Sequence, residues 1–227
     1  MPEPIKWHSD VRVFYEKTGM AKFISHLDTV HLFTRAIKRA KIPIWFTEGF
    51  NPHAFLTFAM PLSLGTESYC ETVDIRLMQE EDLDELASRF DAALPSDVHI
   101  TKIALPKFSP QEIAWADYKI IFNGADENLV SRAKEILSSD EITVMKKVKQ
   151  GKAKVEKEVS IKDKILKFSI DTENENPVLN ITLSSGMQNN INPSLIIGKI
   201  VEGSSTDADS ASIFKLKSYT ADLSEWQ

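Results

Sequence analysis

Arg12-Val-Phe-Tyr-Glu-Lys17, Phe23-Ile-Ser-His-Leu-Asp28 and Glu48-Gly-Phe-Asn-Pro-His53 decide how this chain is read. The first alternates like a strand. In the second, Ser25 stands three residues before Asp28, a serine–aspartate form of the capping box, and opens a helix to about Ala40. Val30, Phe33, Ile37 and Ala40 recur at helical spacing and are expected to face a core. Asp28, His31, Arg35 and Arg39 share the opposite sector, and Pro43 blocks continuation. The third stretch is a tight Gly/Asn/Pro turn.

Outward from this stretch, Ile44 to Phe46, Phe55 to Met60 and Glu71 to Leu77 read as extended pieces. Glu80 to Ala93 reads as an acidic amphipathic helix with Leu83, Leu86, Ala87 and Phe90 inward, and Val98 to Leu105 as a final strand. The second half repeats the order. Tyr118 to Phe122 is a strand and Asn128 to Leu137 a helix. A basic hairpin follows around Gln150-Gly151. Leu166 to Ile170 and Val178 to Leu183 continue the sheet, Asn192-Pro193 opens a helix to about Val201, and Ser212 to Tyr219 closes the domain. The expected class is α+β: tandem ferredoxin-like (βαββαβ) domains with antiparallel sheets. The expected limits are residues 1–106, a linker at 107–116, and 117–227.

The 227 residues suffice for two small cores. No apolar run is long enough to span a bilayer, and Met1 to His8 lacks a basic segment leading into an apolar one. Cys70 is the only cysteine, so a reducing, cytoplasmic setting is expected. The net charge of −6 argues against a generic nucleic-acid binder, but its distribution is uneven. Arg12 to Lys41 holds seven Lys/Arg against two acids, and Lys146 to Lys167 nine Lys against three acids. Met78 to Asp97 holds seven acids and one Arg. Solvated surface accounts for any one segment; two basic segments also allow an anionic ligand.

Phe23, Ser25, His26, Leu27, Asp28, Arg35, Gly49, Phe50, Asn51, Pro52, Phe58, Ala59, Pro61, Leu62, Gly65 and Ser68 together resemble the radical-SAM-linked bacterial domain of unknown function. The match is strongest over residues 11–77. The resemblance implies a partner, a radical-SAM enzyme encoded beside such a domain or fused to it. A radical-SAM cluster needs several cysteine thiolates, so this chain with Cys70 alone is expected to carry no cofactor and to act as an accessory.

His26 and His53 are the candidate acid/base groups, each weighed against a packing or loop role. The expected binding surface is His26, Asp28, Arg35, Arg39, Gly49, Phe50, Asn51, Pro52 and His53, with Asp28 orienting His26 or Arg35. Lys147, Lys149 and Lys152 on the hairpin form a candidate backbone-binding arm for RNA, or an edge that resists aggregation. Most of Trp45, Phe46, Phe50, Phe55 and Phe58 are expected to be core, with Phe50 exposed. No His/Cys/Asp/Glu set has metal-ligand spacing, and no Walker or dinucleotide fingerprint is present. The favoured reading is a non-catalytic accessory protein that binds the enzyme's substrate, with RNA as one candidate, or docks the enzyme. The alternative is a metal-independent endoribonuclease or other RNA-processing enzyme.

Overall fold

The computed structural model describes residues 8–150, 153–186 and 189–227. It is α+β, with four α-helices and antiparallel strand pairing among the described residues. The chain divides into two compact units, Met1–Glu112 with Trp226–Gln227, and Ile113–Glu225. The division falls inside the expected linker. That stretch is structured, with a short 3-10 turn at Pro110–Glu112, and the first strand of the second unit begins at Trp115.

The first unit runs β1 (Ser9–Lys17), α1 (His26–Arg39), β2 (Leu56–Phe58), β3 (Thr66–Leu77), α2 (Leu83–Asp91) and β4 (Val98–Ala104). β1 pairs with β3 on one side and β4 on the other, and β2 pairs with β3, giving the order β4-β1-β3-β2. Alternation buries Val11, Val13, Tyr15 and Lys17 on one face of β1. Phe33, Ala36 and Ile37 of α1, with Leu86 and Phe90 of α2, complete that core. Val30, expected in the core, is only half-buried, and Thr29 is buried instead.

α1 ends before Pro43 for a local reason. Lys41 adopts left-handed backbone (φ 52°), its N–H bonds Lys38 O, and Ile42 N–H bonds Ile37 O at 3.1 Å. This is a Schellman termination, with buried Ile42 and Ile37 supplying its apolar contact. The expected strand at residues 44–46 is reduced to two isolated bridges, Ile44 to Leu77 and Phe46 to Ala54.

The second unit runs β5 (Trp115–Phe122), α3 (Leu129–Ser138), β6 (Thr143–Gln150), β7 (Ala153–Ser160), β8 (Ile165–Glu173), β9 (Asn176–Ser184), α4 (Pro193–Val201) and β10 (Ala211–Tyr219). β5 lies between β10 and β9, and β8 flanks β9, giving β10-β5-β9-β8. The β6–β7 hairpin forms its own two-stranded sheet. With that hairpin set aside, the pairing order repeats that of the first unit. Asn192 caps α4 by accepting from Ser194 N–H at 3.0 Å, with Pro193 at the first helical position.

The last two residues belong to the first unit, not to the second as expected. Arg12 explains this. Its side chain is fully buried, makes a two-pronged ion pair with Asp74 (2.7 and 2.8 Å) and donates to Gln227 O at 2.9 Å. The guanidinium also stacks over Trp226, 4.1 Å from the ring centre.

Candidate functional site

The start of α1 is built by Ser25. Its hydroxyl accepts from Asp28 N–H at 3.1 Å and donates to the Asp28 carboxylate at 2.6 Å. The Ser25 bond, with smaller help from nearby His31 and Arg35, holds the Asp28 carboxyl below the usual carboxylate range. Because folding lowers this pKa, the contribution is present above the ordinary carboxylate value and is lost as pH falls through the folded-state one. Ser25→Ala is expected to cost about 1 kcal/mol through the lost cap. NMR titration of that variant should show the Asp28 pKa raised toward the ordinary value; an unmoved pKa would refute the assignment to Ser25.

This geometry corrects one expectation. Asp28 makes its side-chain hydrogen bond with Ser25, and among the described residues it makes none to His26 or Arg35. His26 is exposed and stands edge-on to Phe58, ring centres 5.2 Å apart. Phe58 in turn meets Phe33 and Tyr15. Among the described residues Arg35 donates only to His31 O, at 3.3 Å, whereas Arg39 reaches across to Ala93 O.

The 47–53 turn closes on itself. Thr47 N–H bonds His53 O at 2.9 Å, and the His53 ring nitrogen Nδ1 lies 3.0 Å from Thr47 Oγ1 and 3.2 Å from Asn51 O. Gly49 has φ 124°, which a side chain would strain. Phe50 is fully exposed, and Asn51, Pro52 and His53 are exposed. Among the described residues no hydrogen bond, ion pair or ring contact joins His26 to His53. The aromatic expectation is corrected too. Trp45, Phe55 and Phe58 are half-buried and Phe46 is exposed, so none of the five is fully buried. Arg76 is the reason for Trp45 and Phe55: its guanidinium lies over the Phe55 ring at 3.9 Å and over Trp45 at 5.3 Å. Lys147 and Lys149 lie on β6, and Lys152 falls outside the described residues.

Two features escaped the sequence reading. One is a buried polar cluster. Lys17 donates to Ile24 O at 3.0 Å, and Ser68 donates to Glu71 at 2.8 Å. Burial lowers the Lys17 pKa, against an opposing pull from Glu71, while burial and then Glu71 and Cys70 raise that of Tyr15. Strict alternation from Val13 through Tyr15 already placed Lys17 inward. The other is apolar surface around the start of α1. Met20, Phe23, Leu27 and Leu64 are 72%, 58%, 63% and 63% exposed. The Gly65 N–H to Lys22 O bond (3.0 Å) brings the Leu64 loop to this segment. Lys22 pairs with Glu67 at 2.9 Å and lies over the Phe23 ring.

Among the described residues no group of three His, Cys, Asp or Glu is placed to hold a metal ion, and no helix is long and apolar enough to cross a membrane.

No curated protein matches this chain. Of the solved structures, 23 chains match, among them one described as "Crystal Structure of a Cbf5-Nop10-Gar1 Complex". That likeness has 10% sequence identity and a TM-score of 0.48, and covers 96% of this chain and 54% of the other. This chain thus spans about half the length of the chain it matches. A family model matches residues 11–193. The chain therefore belongs to the family described as "Uncharacterized protein conserved in bacteria (DUF2344)".

Proposed function

We propose that this chain is a non-catalytic accessory protein that docks a radical-SAM enzyme, the partner implied by the motif resemblance, through the apolar surface at the start of α1. One observation carries the reading. Phe23 and Leu27 belong to the motif, yet both are large apolar side chains held in solvent, with Met20 and Leu64 in the same surface. Their exposure gives the fold nothing, whereas burial against a partner gains roughly 25 cal/mol per Å². Apolar centres rich in aromatic residues and Met, ringed by polar groups, are what protein interfaces use. Here Lys22, Glu67 and His26 supply the polar rim.

Under this reading any iron–sulfur cluster resides in the partner and the setting is cytoplasmic. The platform is a tandem ferredoxin-like fold, a reading supported by the repeated pairing order of the two units. Arg35 and the hairpin lysines are the residues assigned to an anionic substrate, with RNA as one candidate. The test is an affinity pull-down from native bacterial cytoplasm, split into nuclease-treated and untreated halves. Recovery of a radical-SAM protein in both halves is expected. Recovery of RNA without that enzyme would overturn docking in favour of an RNA-directed role.

A further inference from the structure

A second surface of the first unit carries charge that the docking reading leaves unused. Residues at the end of α1 and around the end of α2 enclose an open groove of about 710 Å³, within the range of ligand clefts. Arg39, Lys41 and Arg89 line it, and its walls are aliphatic, with Leu32, Leu94 and Pro95 beside alanines. Among the described residues no aromatic side chain lines it.

The fold uses these cations unequally. Arg39 gives one N–H to Ala93 O, and the rest of its five-donor fork stays available. Arg89 pairs with Glu81 at 2.8 Å, while its Nε–H is buried without a partner among the described residues. The Lys41 ammonium is exposed and makes no hydrogen bond or ion pair with the described residues. Lys41 also occupies the left-handed position that ends α1 (φ 52°), a place suited to Gly or Asn. The lysine therefore sits at a strained position, and its ammonium makes no polar contact with the described residues in return. Arg89 is paired with Glu81, and no carboxylate is among the described residues that line the groove, so Arg39 and Lys41 leave its lining positive.

We infer that this groove binds an acidic, aliphatic peptide segment of a partner protein. Its carboxylates meet Arg39 and Lys41, and its apolar side chains lie on Leu32, Leu94 and Pro95. A single-stranded nucleic acid suits the groove less, because such sites stack bases on aromatic rings and this one has none. The inference stands apart from the docking surface at Phe23 and Leu27.

The test pans a short random-peptide display library against the full chain, against Lys41→Asn and against Arg39→Gln. Asparagine tolerates the left-handed backbone, so Lys41→Asn removes charge and keeps the helix end. Enrichment of Asp/Glu with Leu, Ile or Val on the unsubstituted chain is expected. The synthetic consensus peptide should bind Lys41→Asn at least about tenfold more weakly, equivalent to 1.4 kcal/mol. A Phe23→Ser variant should retain the peptide in full. No enrichment, a consensus without acids, or equal binding by Lys41→Asn would overturn the proposal. So would a random single-stranded RNA pool that displaces the peptide and itself depends on Lys41.

Discussion

Arg12→Ala is expected to destabilise the first unit by about 3–5 kcal/mol, the cost of breaking a buried ion pair by removing one partner. Three losses coincide in this one change. Asp74 loses both of its guanidinium bonds, Trp226 loses the cation over its ring, and Gln227 O loses its donor. A cavity also opens where a fully buried side chain stood. At roughly 4–8 °C per kcal/mol for a unit of this size, the melting transition should fall by at least about 10 °C. Arg12→Lys should recover only part of this, because an ammonium cannot make the two-pronged contact. Deleting Trp226 and Gln227 should cost less than Arg12→Ala, since the Asp74 pair survives. Thermal melts followed by circular dichroism check the series. An Arg12→Ala transition within about 1 kcal/mol of the unsubstituted protein would refute the role of Arg12 in fastening Trp226 and Gln227.

The second large effect is on association. Replacing Phe23 and Leu27 together by serine is expected to weaken the enzyme partner's binding about 100-fold, roughly 3 kcal/mol. Truncating anchors at an interface centre commonly costs 2 kcal/mol or more apiece, with incomplete additivity. The same pair should leave folding nearly untouched, because both side chains are already in water. This separates it from Arg12→Ala, where binding would fail only because the unit melts. The amount of enzyme retained in the pull-down should drop while the melting curve of the variant stays in place.

Much of the architecture was legible. α1 announced itself through Ser25, Asp28 and the Phe33/Ile37 spacing, and Asn192-Pro193 announced α4, because caps and periodicity are local signals. The basic hairpin was legible from Gln150-Gly151 between alternating segments, though not its separation from the main sheet. Arg12 was not legible. Alternation puts it on the face opposite Val11 and Val13, and its partner Gln227 lies 215 residues away. The half-exposed Trp45 and Phe55 were read as core because the cation between them, Arg76, comes from a distant strand. Of the candidate site, Phe50 was correctly expected to be exposed. Asp28 was assigned the wrong partner: Ser25, named as its cap, is also its side-chain bond. The exposed apolar surface went unread because the sequence alone does not distinguish an apolar residue in a helix's first turn that faces solvent from one that faces the core.

Titration calorimetry of the proposed radical-SAM partner into this chain, unsubstituted and carrying Phe23→Ser with Leu27→Ser, decides whether the apolar surface docks it. Saturable binding by the unsubstituted chain with a negative heat-capacity change, the mark of apolar burial, is expected, with a loss of about 100-fold in the double variant. Equal affinity for both chains, or no binding by the unsubstituted chain, would contradict it.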